Sequence, residues 1–419
     1  MDNKAWHYIP AYKYCSKVTD GTHDTPKKTE HGKYLITSKH IKGTEVDFDS
    51  AYFISEKDFQ EINKRSRVDQ WDVIISMIGA YCGFCFIESN PNVDYAVKNV
   101  GLFKAGNKLD AQWLYYYLNS NIGKAHLDSI KSGSSQPYIT LGGIRSLPIL
   151  VPKEHEVKKK IVTAISCIDA KIELNNRINA ELEAMAKTLY DYWFVQFDFP
   201  FDFAQGKPAA NGKPYKSSGG KMVYNPILKR EIPEKWKVKR LSEIANITMG
   251  QSPDGESYNE EGRGTIFFQG STDFGWLFPK IRQYTTAPTR MAQKGDILLS
   301  IRAPVGDMNI ASDNCCIGRG LAALNSKAGY DGFLFYVMKY FKQVFDRRNS
   351  EGTTFGSITK DDLHSLELAY PDDALLQRYD EVVSSYNKMI FKRSLENQHL
   401  IELRDWLLPM LMNGQVTVK

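Results

Sequence analysis

The chain has 419 residues, a length that suits two to four domains. With 42% hydrophobic and 25% charged residues it reads as a folded globular protein, and a net charge of +5 means that any nucleic-acid surface must be a local patch. No run of about 18 apolar residues and no apolar signal core at residues 1–10 occur, so neither a membrane span nor a secretory leader is expected.

In chain order, residues 1–153 read as a first globular domain, strand-rich and mixed. Turn signals are dense, as at Asp20-Gly21-Thr22-His23 and Asn90-Pro91-Asn92. Between them lie β-type runs at Val73 to Met77 and Phe84 to Glu88, then an amphipathic helix from Asp110 to about Ser129. A polar loop follows, Lys131 to Gln136, and a short strand ends at Pro152. Residues 154–197 form a long helix whose apolar comb reads Ile161, Ile165, Ile168, Ile172, Ile178, Leu182, Met185, Leu189, Trp193. That spacing marks a seam against another helix, with Asn175 and Asn179 near it as register-fixing polar residues. Residues 198–235 form a connector, aromatic at first and then turn-rich. Residues 236–372 read as a second globular domain, with a strand at Asp296 to Ser300 and a helix near Gly332 to Asp346. Residues 373–419 hold a second long helix and a short tail, with Val383, Tyr386, Ile390, Leu400, Leu403, Leu407 and Leu411 in its seam.

The chain is therefore written twice. Ile172, Leu182 and Leu189 recur 218 residues later as Ile390, Leu400 and Leu407. Gly133-Ser134-Ser135, Ile139-Thr140, Ser146-Leu147 and Pro152 recur 219 residues later as Gly352-Thr353-Thr354, Ile358-Thr359, Ser365-Leu366 and Pro371. Trp71 to Ser76 matches Gly295 to Ser300. The fold class expected is α+β: two mixed α/β domains in a pseudo-two-fold arrangement, separated by two long helices. Helices that match better than the loops point to a shared scaffold carrying two different specificities.

Catalytic motifs are missing. There is no GxxxxGK[ST] phosphate loop. Gly318-Arg319-Gly320-Leu321 lacks a βαβ context and reads as a strand-end turn. Asn225-Pro226-Ile227-Leu228 lacks the residues that would hold a flipped base beside a methyl donor. Cys82 and Cys85 have no second pair, so buried thiols are expected rather than a metal site, and the cysteine usage suits a reducing cytoplasm.

The ordered duplication, together with Ile232 to Leu241, Gly250-Gln251-Ser252-Pro253, Ser300 to Gly306, the looser counterpart Ser76 to Gly83, Trp193-Phe194-Val195 and Leu407-Leu408-Pro409, resembles the specificity subunit of type I restriction–modification systems across essentially the whole chain. The resemblance implies two target-recognition domains, each reading one half of a split double-stranded DNA site, and two long helices that pack as an antiparallel coiled coil, set the gap and dock two methyltransferase subunits. It implies a non-catalytic subunit of a restriction endonuclease and adenine-DNA methyltransferase complex in a prokaryotic cytoplasm. No cofactor is expected on this chain, with S-adenosylmethionine in the methyltransferase and ATP and Mg in a motor-nuclease subunit that can join. Base reading needs Arg, Lys, Asn, Gln, Ser and Thr at groove edges. The expected DNA-binding residues are Thr22, His23, Lys39, Lys131, Ser134, Ser135 and Gln136 in the first domain. In the second they are Gln251, Ser252, Arg302, Arg319, Thr353, Thr354 and Lys360. A solvated loop position is the competing reading for each, and for Arg302 a carboxylate partner within the chain. The expected seam and docking residues are Ile161, Ile165, Ile168, Ile172, Leu182, Leu189, Trp193, Val383, Ile390, Leu400, Leu403 and Leu407. The alternative function is a coiled-coil scaffold that binds proteins and is indifferent to DNA.

Overall fold

The computed structural model describes residues 5–42, 45–350 and 357–418. The chain divides into two compact units, one built from residues 1–173 with 398–419, the other from 174–397. Each holds one globular domain and a portion of both long helices.

In the first domain a four-stranded antiparallel sheet has the order Lys17–Asp20, Val100–Lys104, Asp72–Ser76, Cys85–Ile87. In the second, the sheet of the same topology has the order Ala245–Met249, Leu321–Ser326, Ile297–Ser300, Met308–Ile310. Each domain adds a second sheet built on a parallel pair, three-stranded on Lys33–Thr37 with Tyr95–Lys98 in the first and five-stranded on Thr265–Phe268 with Cys315–Ile317 in the second. An antiparallel pair closes each domain: Trp6–Pro10 with Pro148–Pro152, and Lys237–Arg240 with Glu367–Tyr370. The central strands are apolar on both faces because both are covered. Asp72–Ser76 is buried throughout, as is Ile297–Ser300.

The expected helix over 110–129 is two helices, Lys108–Asn119 and Asn121–Ile130. Ser120 breaks it by capping both: its N–H donates to the carbonyls of Tyr116 and Tyr117, and its side chain accepts from Gly123 N. The counterpart in the second domain is continuous from Asp331 to Ser350.

The long helices span His155–Tyr190 and Asp373–Met412. At 1.5 Å per residue they are about 54 and 60 Å long. The first continues beyond Tyr190 as a π-helical turn at Asp191–Val195, which takes in the last comb residue, Trp193. The two pair antiparallel. In one unit Arg404 Nη1 meets Asp169 Oδ1 at 3.1 Å. In the other, Asn175 Nδ2 donates to Asn397 Oδ1 at 2.9 Å and Asn179 Nδ2 to Ser394 Oγ at 3.3 Å. Asn175 and Asn179 are thus fully within the seam, not beside it.

Ile161, Ile165, Trp193, Val383 and Ile390 are buried, while Ile168, Ile172, Leu182, Leu189, Leu400 and Leu407 are half-buried. Leu403, at 42% exposed, lies outside the packed seam, and so does Met185 at 53%. In the first helix Ala186 and Tyr190 take the buried positions, the Tyr379 hydroxyl donating to Ala186 O at 3.2 Å.

The connector is more ordered than a turn-rich loop. Pro200–Asp202 pairs with Lys207–Pro208 and Lys213–Pro214, and Met222–Asn225 with Arg230–Pro233. Its aromatic start packs down as expected, Phe199 stacking on Tyr215 and on Trp236 with ring centroids 4.8 and 5.4 Å apart. All six cysteines are free and only Cys167 is exposed. Among the described residues no helix is long and apolar enough to cross a membrane.

Candidate nucleic-acid interface

In each domain the first strand of the main sheet runs out onto a glycine. Gly21 N–H donates to Val100 O at 2.8 Å, and Gly250 N–H to Leu321 O at 2.9 Å. A Cβ would lie 2.5 Å from Val97 O at Gly21 and 2.1 Å from Gly318 O at Gly250. The backbone approaches too closely for any other residue type. The next two residues therefore hold equivalent places, Thr22 and His23 in one domain, Gln251 and Ser252 in the other.

The first domain strings its candidate residues along one rim. His23 is held by Asp20 Oδ2 at 3.0 Å and Asn99 Oδ1 at 3.2 Å. Ser38 Oγ donates to Asn99 O at 2.5 Å and accepts from Met77 N at 3.3 Å. Lys39, next to Ser38, is exposed. Ile139 N donates to Met77 O at 2.8 Å, and Ser132 and Tyr138 exchange backbone bonds of 2.9 and 2.8 Å. That closes the loop carrying Ser134, Ser135 and Gln136, all exposed. Lys131 is tied to Asp128 at 2.7 Å. Beneath Lys39, burial and then the Lys39 charge pull the His40 imidazole below its ordinary pKa. Its Nδ1 accepts from Thr37 N at 3.0 Å.

The second domain repeats the rim with different side chains. Ser252 Oγ lies 2.8 Å from Gln269 Nε2 and 3.3 Å from Arg319 N. Gly318-Arg319-Gly320 is a turn between two strands, as its context predicts. Ile301 N donates to Gly320 O at 3.0 Å. Arg302 forms an antiparallel bridge to Ser357, the mate of the Ile78–Tyr138 bridge in the first domain. Lys360 is exposed at the start of the helix Lys360–His364. Thr353 and Thr354 lie outside the described residues. The structure brings together Thr22, His23, Lys39 and the 134–136 loop in one domain, and Gln251, Ser252, Arg302 and Arg319 in the other.

Three rim residues escape sequence reasoning: Asn99, Gln269 and Arg290. Arg290 is exposed, its carbonyl accepts from Ile317 N at 2.9 Å, and its neighbour Thr289 donates from Oγ1 to Gln251 O at 2.5 Å. Arg263 and Arg282 pair with Glu261 and Asp273 at 3.2 and 3.0 Å. Among the described residues no carboxylate pairs with Arg290, Arg302 or Arg319, so the carboxylate alternative for Arg302 finds no support there. The rim therefore presents open guanidinium, amide and hydroxyl groups.

The profile of the type I restriction modification DNA specificity domain matches residues 20–184 and again residues 233–386. The chain belongs to this family. A provisionally named specificity subunit of the type I restriction enzyme MjaX, from Methanocaldococcus jannaschii, is 28% identical over 411 residues, covering 96% of this chain and 91% of that protein. The MjaIX specificity subunit of the same organism is 24% identical over 411 residues, covering 94% and 86%. The crystal structure of a type I restriction–modification S subunit from M. genitalium superposes with a TM-score of 0.59 at 15% identity, over 98% of this chain and 97% of that one, so the two share a fold. Specificity subunits are the non-catalytic members of type I systems, and this chain is of that kind.

Proposed function

We propose that this specificity subunit is the DNA reader of a type I restriction–modification complex. Each globular domain, residues 1–153 and 236–372, reads one half of a bipartite double-stranded site through its rim. Helices 154–197 and 373–419 fix the gap between the half-sites. Half-sites one helical turn apart are about 34–36 Å from centre to centre, within the reach of helices about 54–60 Å long. The observation that carries the reading is the rim itself: one backbone scaffold, written twice, presents different polar side chains at equivalent places. A duplicated protein-binding scaffold has no need of two divergent polar rims.

Two methyltransferase subunits dock on the outer faces of the helices, in the cytoplasm of a prokaryotic cell. In support, apolar side chains unused by the seam are exposed there, among them Met185 at 53%, Leu403 at 42% and Trp406 at 64%. The partners carry the S-adenosylmethionine chemistry and, in the motor-nuclease subunit, ATP and Mg. The test is equilibrium binding of the chain, in complex with its methyltransferase, to duplex DNA over a range of salt. The account expects log K to fall linearly with log salt, with a slope of about −0.9 per phosphate neutralised. Affinity that ignores both DNA and salt would favour the scaffold reading.

A further inference from the structure

Ser252, Gln269 and Arg319 form a cluster that differs from the rest of the rim in how it holds its charge. Arg319 is the sole side chain of the turn Gly318-Arg319-Gly320. A Cβ at Gly318 would lie 2.7 Å from Gln269 Oε1, and one at Gly320 would lie 2.7 Å from Gln269 O. Both flanking glycines are therefore required for the turn to lie flat on Gln269, and the arginine projects from a rigid base. Its stem is then fixed again. Ser252 Oγ accepts the Nε–H at 3.4 Å and the backbone N–H at 3.3 Å, and donates its own proton to Gln269 Oε1 at 3.1 Å.

The bond to Nε leaves the two terminal nitrogens of the guanidinium without a protein partner among the described residues. A phosphate contact asks for charge and approximate position, which a loose lysine supplies. A guanidinium oriented by hydroxyl and amide groups, with its terminal fork open, is suited to a directional, two-point acceptor. In the major groove that acceptor pair is O6 and N7 of guanine. Resting on the DNA-reading function proposed above, we propose that Arg319, positioned by Ser252 and Gln269, reads a guanine in the half-site of the second domain.

The test uses the full chain in complex with its methyltransferase and duplexes carrying its methylation motif. The half-site that changes when residues 236–372 are exchanged contains a G·C pair. Replacing its guanine by 7-deazaguanine, which lacks the N7 acceptor, weakens the wild-type complex roughly 10-fold. Arg319→Ala loses discrimination at that pair by roughly 10- to 100-fold, and Arg319→Lys by less, because an ammonium still donates to O6 or N7 but without the fixed fork. Arg319→Ala does not respond to 7-deazaguanine, and both variants leave the other half-site unchanged. Ser252→Ala moves discrimination in the same direction by less. Uniform weakening of all duplexes by Arg319→Ala, with a salt slope shallower by about one, would make the residue a phosphate contact. That result would overturn the proposal while leaving DNA reading intact. A wild-type complex with no bipartite motif would overturn both.

Discussion

At the scale of single residues, the two rims are set by glycines whose missing side chains let strands and loops touch. Gly250→Ala drives a methyl group into Gly318 O and Leu321 O, at 2.1 and 2.8 Å. The expected loss is about 1–3 kcal/mol of stability in the second domain, with the Gln251–Ser252 rim displaced. Gly255→Ala, five residues beyond Gly250 and facing open space, should stay within about 0.5 kcal/mol. Chemical denaturation of the two variants, followed by fluorescence, decides it; equal effects would mean that the close approach is not what holds the rim. Composition and turn chemistry pointed to Thr22, His23, Gln251 and Ser252, because polar residues after a Gly turn at a strand end are readable in one dimension. Gln269 and Arg290 were not readable. Gln269 reaches the rim through a bond to Ser252, 17 positions away, and Arg290 through its neighbour Thr289, bonded to Gln251 38 positions away, and no local pattern encodes that.

Among elements, the long helices depend on a polar layer. Asn397 Oδ1 accepts from Asn175 Nδ2, and Asn397 Nδ2 donates to Asn176 Oδ1 at 2.8 Å. Asn397→Ala removes one of the two bonds of the fully buried Asn175 amide, which keeps Glu396 Oε2 at 2.8 Å, and leaves the exposed Asn176 to water. The expected cost is about 0.5–1.5 kcal/mol, measurable as a lower denaturation midpoint with an unchanged slope. A midpoint that rose instead would show that the layer is dispensable. The comb of apolar residues made the helices and their pairing legible from sequence. It did not separate the packed stripe from its flanks, because period alone does not fix how wide a face a partner covers. Leu403 and Met185 share the period and remain exposed, while Ala186 and Tyr190 fill the seam. The break at Ser120 was hidden for a related reason: apolar spacing continues through it, and the serine caps that interrupt the helix are local.

Across the molecule, one strand order and one set of closing pairs occur twice. The 219-residue offset from Ile139-Thr140 to Ile358-Thr359 announced this in the sequence. What the sequence left obscure was the correspondence of the loops, which differ in length and residue type. Shared hydrogen bonds, such as those of Gly21 and Gly250, now align them. Two scaffolds with two rims should act as separable readers, so replacing residues 236–372 with those of another specificity subunit should change one half-site and spare the other. The most direct test is methylome sequencing of cells that carry this chain with its methyltransferase, the same pair with 236–372 exchanged, and the methyltransferase alone. The account predicts a split motif around a fixed gap for the first, one altered half-site for the second and no motif for the third. A competent, assembled complex that methylates without a split motif, or an exchange that alters both half-sites, would contradict it.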